Sequence, residues 1–150
     1  EHTGVFYPLQ TFTKGWKISM EEVPVLLEAE DENVFNILAN LAKSISKHVY
    51  EVGYQDRLLI HLSAVFACNF TNRMLTISEE ILKKKGLNLE LLRPLIAETI
   101  NKSLDIGPKK SQTGPAARKD KETIDKHLSL LRNTPYGDIY RIISDSILKS

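Results

Sequence analysis

The sequence predicts a mainly α-helical chain with a partial α/β lobe at its start. Three observations point there. Residues 1–52 alternate short apolar, β-branched runs with one amphipathic segment. From Gly53 onward the apolar positions follow helical spacing only. The hydrophobic fraction of 42% over 150 residues is ordinary for a globular chain and enough for a real core.

Residues 4–12 (GVFYPLQTF) read as a strand interrupted at Pro8, because proline has no N–H for a ladder. Residues 13–22 are polar, with Trp16 as the expected anchor. Residues 23–29 (VPVLLEA) form a short continuous apolar run of the buried-strand type. Asp31 is a good N-cap for a helix over 32–45. Its Val34, Ile37, Leu38, Leu41, Ala42 and Ile45 make one apolar stripe. Residues 48–52 (HVYEV) give a third strand. The order β-β-α-β is half of an α/β unit, with too few strands for a self-sufficient sheet.

Residues 55–85 read as one long helix. Lys83, Lys84 and Lys85 complement its C-terminal dipole and Gly86 supplies the cap. A second helix spans 88–104, with Leu91, Leu92, Leu95, Ile96, Thr99 and Ile100 as its expected buried face and Pro94 near its first turns. Residues 106–119 are a loop by composition. Asp120 caps a third helix to about Arg132, and 138–148 form a fourth with Ile139, Ile142, Ile143 and Ile147 inward. The chain opens Glu-His-Thr-Gly-Val-Phe, without an initiator Met and already entering a strand, which reads as a cut through a longer protein.

Twenty Lys and Arg against 19 Asp and Glu leave a net charge of +1, so no global field favours nucleic acid or an anionic membrane. The single cysteine, Cys68, excludes an internal disulfide and reads as a small core hydrophobe. It is compatible with a reducing compartment, and a cytoplasmic location is expected. The sequence contains neither a signal peptide nor an apolar run of the roughly 18 residues that a membrane helix needs.

The sequence has no Gly-x-Gly-x-x-Gly and no P-loop, so by itself it cannot cradle a dinucleotide pyrophosphate. His2, His48, His61 and His127 fall on separate elements without metal-ligand spacing, and no metal site is expected. The most informative stretch is 57–72 (RLLIHLSAVFACNFTN). There His61, Val65, Asn69 and Asn72 follow helical rows and share one face. Burying imidazole and amide groups costs about 1–3 kcal/mol per unmatched group. The expectation is therefore a sheltered stripe facing a ligand, a partner segment or a second subunit.

His61 is the leading catalytic candidate, able to exchange a proton or to hydrogen-bond a substrate carbonyl. The alternative is a structural histidine bonded to backbone or to a partner helix. Asn69 and Asn72 either orient a substrate or tie helices together. Thr113-Gly114-Pro115 fixes a tight turn, and Arg118 with Lys109, Lys110 and Lys119 can bind an anion; the alternative is a solvated basic loop. Tyr7-Pro8-Leu9-Gln10 ends a strand in the manner of a sheet whose carboxyl edge faces a crevice.

Three segments carry a resemblance, in order and spacing: GVFYPLQTF, HLSAVFACNF, and QTGPAARKDKETIDKHLSLL with IYRIIS. Together they resemble a family of proteins assigned as NADP-dependent oxidoreductases. These join an N-terminal Rossmann-like domain to a helical C-terminal domain of unknown function. Their layout is similar to pyrroline-5-carboxylate reductase and, more distantly, to 6-phosphogluconate and β-hydroxyacid dehydrogenases. The resemblance implies that 1–52 are the tail of the Rossmann-like domain. It implies that 53–150 are a 6-phosphogluconate dehydrogenase C-terminal-like bundle, forming a homodimer and the substrate side of the cleft.

On this basis His61 and Asn69 are expected to be catalytic. Asn72, Thr113, Gly114 and Arg118 are expected to bind a small-molecule substrate, and Pro8 and Gln10 the cofactor, NADP in the full-length protein. Tyr7 departs from the pattern, since the family commonly has His before this proline. Val65 also stands where a lysine-assisted proton transfer would need Lys. The competing expectation is a non-catalytic dimerisation or regulatory module.

Overall fold

The structure, a computed structural model, describes residues 2–150. It is mostly helical with a small sheet and divides into two compact units, Glu1–Asn72 and Arg73–Ser150. The change from strands to helices falls at Gly53, between β3 and α2, where the sequence pattern puts it.

The first unit is built on three strands in the order β1-β2-β3. These are β1 (Gly4–Pro8), β2 (Val25–Ala29) and β3 (Val49–Glu51), and helix α1 (Glu32–Ile45) connects the last two. β1 lies antiparallel to β2, with Tyr7 opposite Leu26. β3 lies parallel to β2, with Val25 opposite Val49. Val25 and Leu27 are 0% exposed and pack with Ala39 and Ala42 of α1, flanked by Phe6, Phe35, Leu38 and Val49. Leu26 is buried as well, so β2 is covered on both faces, as a continuous apolar run requires.

β1 stops at Pro8, and residues 9–12 do not continue as a strand. Trp16 is 77% exposed, so the expected anchor is not one. Asp31 does cap α1: its Oδ1 accepts from the Asn33 N–H at 2.8 Å and the Val34 N–H at 3.2 Å. The buried face of α1 is rotated from the expected stripe. It runs through Phe35, Leu38, Ala39 and Ala42, leaving Ile37, Leu41 and Ile45 exposed. The helix leaves its last turn through Ser46, buried at 6% exposure. The Ser46 hydroxyl donates to the Val23 carbonyl at 2.6 Å and accepts from the His48 N–H at 3.0 Å, holding the chain at its entry to β3.

The predicted long helix is an uninterrupted helical run, but it is not uniform. α2 (Tyr54–Ala64) passes into a π-helical turn (Val65–Phe70) and then α3 (Thr71–Lys83). Gly53 offers no side chain to cap α2. Glu28, at the end of β2, does so instead, accepting from the Tyr54 N–H at 3.0 Å. The run ends at Gly86, whose φ of +68° lets the Leu87 N–H reach the Leu82 carbonyl at 3.2 Å.

In the second unit a 3-10 turn (Leu89–Leu92) leads into α4 (Arg93–Ile106). Pro94 sits in the first turn of α4, where its missing N–H costs nothing, so it starts the helix rather than bending it. The face expected to be buried carries exposed Leu91, Leu95 and Ile100, because no described residue covers it. The presumed loop over 106–119 contains a short helix, α5 (Pro108–Ser111). α6 (Lys121–Leu131) and α7 (Gly137–Leu148) follow, and Asp120 caps α6 by accepting from the Thr123 N–H at 3.0 Å. Ile139, Ile143 and Ile147 line the cavity side of α7, but Ile143 is still 42% exposed and Ile142 is 68% exposed, so the expected inward face is only partly covered. Among the described residues no helix is long and apolar enough to cross a membrane.

Candidate functional site

In the first unit, β1 and α2 bring Tyr7 to His61. Tyr7 is on the last turn of pleat before Pro8, and His61 lies two helical turns into α2. The Tyr7 hydroxyl and His61 Nδ1 are 3.0 Å apart, with the rings edge-on at 62°. Val5, Tyr54, Arg57 and Leu58 complete a depression of about 210 Å³ around them. Arg57 stands one turn before His61 on the same face, and its guanidinium pairs with the Glu28 carboxylate. That pair is half-buried, with the Arg57 side chain 18% exposed. Arg57 also lies 5.7 Å over the Tyr54 ring. The hydrogen bond from Arg57, followed by its charge and the Tyr54 N–H, holds the Glu28 carboxyl below the usual glutamate range, against the opposing effect of desolvation.

The chemistry available here is that of an oriented imidazole. When the Tyr7 hydroxyl donates to Nδ1, Nε2 carries the proton and can donate to a substrate oxygen. In the other tautomer Nδ1–H donates to the tyrosine oxygen and Nε2 is free to accept a proton. Either way the phenol fixes the ring and leaves one nitrogen for a ligand.

The sheltered stripe expected along the long helix is not found. His61, Asn69 and Asn72 are all exposed in the chain by itself, and so is Cys68, which is no core residue. Two causes are physical. No residue of α2 or the π turn is buried, so this surface has no cover. The wider π turn also breaks the α-helical phase, rotating residues beyond it by about 100° per inserted residue relative to those before it. Asn69 lies in that turn and Asn72 just past it. Pro8 ends β1, and the Gln10 side chain folds back to accept from the Thr11 N–H at 2.8 Å.

In the second unit, Thr113 and Gly114 belong to a turn tightened by backbone bonds. Arg118 N–H reaches the Gly114 carbonyl at 3.2 Å, and Asp120 N–H reaches that of Pro115 at 2.9 Å. Gly114 has φ of +102°, which a side chain would oppose. The Arg118, Lys109 and Lys110 side chains are exposed. Arg118 adds its positive charge near Asp120, whose carboxyl is held low chiefly by the Thr123 hydrogen bonds. Thr113, Gly114 and Ala116 form one wall of a cavity of about 350 Å³ that is otherwise lined by α3, α6 and α7. Within its lining, His127 Nδ1 and the Tyr140 hydroxyl lie 2.8 Å apart.

The sequence therefore located His61 and the Thr-Gly-Pro turn but missed the partners that define each place. Tyr7 stands out in the sequence as part of the strand end Tyr7-Pro8-Leu9-Gln10 and as a departure from the family pattern, whereas nothing local pairs Arg57 with Glu28 across 29 positions. The spacing of His127 and Tyr140 on the inner rows of two amphipathic helices was the one local signal available. Among the described residues no three His, Cys, Asp or Glu side chains gather as a metal site would need.

A family described as a domain of unknown function, DUF2520, matches residues 23–147. No curated protein shows significant similarity to the chain. Among solved structures, a protein from Bacteroides fragilis described as a "putative NADP oxidoreductase" is similar over 100% of this chain, with 40% identity and a TM-score of 0.96. The chain spans 58% of that protein's length. A protein from Thermotoga maritima matches over 97% of this chain and 60% of its own, with 21% identity and a TM-score of 0.75, a likeness of fold.

Proposed function

We propose, starting from the fact that the chain belongs to the DUF2520 family, that it is the C-terminal part of an NAD(P)-dependent oxidoreductase. The likeness over its whole length to the Bacteroides fragilis protein supports this reading. The β-β-α-β portion is then the tail of a Rossmann-like domain, with Pro8 and Gln10 beside an NADP held mainly by residues outside this chain. The helices from α2 onward are a dimerising, substrate-side domain of the 6-phosphogluconate dehydrogenase C-terminal type. The exposed Leu58, Leu62, Phe66 and Phe70 support a second copy as the cover for that helix.

The observation that carries the catalytic assignment is the 3.0 Å bond between Tyr7 and His61. A nicotinamide cofactor supplies the hydride when bound. His61 supplies or accepts the accompanying proton at Nε2, and Tyr7 holds the imidazole in position. Arg57, kept extended by Glu28, places positive charge beside the same depression. Asn69 and Asn72 orient substrate, while Thr113, Gly114 and Arg118 of the second unit stand as separate substrate-binding candidates.

The test is His61→Ala in the natural protein that carries this chain. The proposal expects NADPH-dependent turnover to drop by about 10²–10⁴, the usual worth of a positioned acid–base group, with the dimer intact by light scattering. Loss of the dimer with turnover per folded subunit unchanged would instead assign His61 to a non-catalytic dimerisation module.

A further inference from the structure

Helical serines in this chain almost habitually bond back to the preceding turn. Ser63, Ser78, Ser103 and Ser129 each donate to the carbonyl four residues earlier, at 2.8 to 2.9 Å. Ser144, in the middle of α7, is buried at 8% exposure, yet its hydroxyl makes no hydrogen bond with any described residue. It lines the 350 Å³ cavity of the second unit, whose remaining walls are mostly aliphatic and aromatic. No side-chain N or O among the described residues is both fully enclosed and unpartnered, so the Ser144 hydroxyl keeps open space before it and is free to hydrogen-bond a ligand. Of the other polar side chains of that lining, His127 Nδ1 is engaged with Tyr140 and the Tyr136 hydroxyl with Glu80, while Thr113 is exposed.

We propose that this cavity binds a compact, mainly apolar ring or branched-chain molecule carrying one hydroxyl or carbonyl group, which hydrogen-bonds Ser144. The size is right for such a body, since ligand pockets begin at about 300 Å³ and are mostly apolar with a few placed polar groups. No Lys or Arg lines the cavity, so a neutral head fits better than a carboxylate or phosphate. This rests on the oxidoreductase reading only in naming the bound molecule as a substrate, a hydroxyl or carbonyl compound being what a nicotinamide enzyme interconverts. The binding itself stands apart from it.

The test titrates p-cresol and toluene, two rings of similar size differing in one hydroxyl, into the full chain without cofactor. Binding is followed by amide chemical shifts in NMR. Both should shift amides around Ala116 and Ser144 saturably. Ser144→Ala should weaken p-cresol by about threefold to tenfold, the worth of one neutral hydrogen bond, and leave toluene unchanged. Ser144→Leu, which fills the space, should abolish both. Equal effects of Ser144→Ala on the two ligands, shifts that map elsewhere, or no saturable shift would overturn the proposal. So would shifts that appear only when dilution separates a dimer, because a second copy would then be the occupant. Absent NADPH-dependent turnover by the natural protein that carries this chain, with p-cresol binding intact, would count against the oxidoreductase reading alone.

Discussion

Ser46 shows how much one hydroxyl does in this fold. It is buried where α1 gives way to β3, and it satisfies both the Val23 carbonyl and the His48 N–H. Ser46→Ala leaves the His48 N–H short of this partner, so the expected loss is about 1–3 kcal/mol in urea unfolding. An unchanged midpoint would show that the exit of α1 is held some other way. Glu28 is the second such residue. Its folded-state carboxyl lies below the ordinary value of 4.5 because Arg57 and the Tyr54 N–H favour the charged form. The stability it contributes is therefore fully present above that value and is lost as pH falls through the lower, folded one. The melting-temperature gap between the wild type and Arg57→Gln should be constant near neutrality and narrow on acidification below 4.5. A gap that widens in acid would reverse the assigned sign. Neither residue was legible in the sequence, since both act on backbone groups more than 20 positions away.

Elements were legible where local chemistry and packing agree. Asp31 before an amphipathic run announces α1, and its two N–H contacts bear that out. Asp31→Ala should cost about 1 kcal/mol, read by chemical denaturation, and Asp31→Asn should restore most of it. Equal losses in both variants would mean that charge rather than capping matters. Gly86 and the lysines before it likewise marked the end of the long helix. The π turn at Val65–Phe70 was not legible, because apolar spacing in VFACNF fits an α-helix equally well. That turn, together with the lack of any buried residue along α2, is why the His61–Asn69–Asn72 row, drawn on α-helical periodicity, does not survive as a sheltered face. The same periodicity placed the stripe of α1 one row away from the side that meets the sheet.

At the scale of the whole molecule, the chain exposes more apolar surface than a self-contained domain usually leaves in water. Ile37, Leu41 and Ile45 form an open row on α1, and Leu58, Leu62, Phe66 and Phe70 another along α2 and the π turn. Composition could not reveal this, since 42% hydrophobic residues is the same number whether their faces are paired or open. An account in which this chain is one part of a larger cofactor-dependent enzyme explains those rows by the surfaces they would meet. Its most direct test is calorimetric titration of NADPH into the natural protein carrying this chain and, in parallel, into residues 1–150 alone. The account predicts saturable binding by the first and none by the second, which has no glycine-rich pyrophosphate loop. Micromolar binding by residues 1–150, or none by the natural protein, would contradict it.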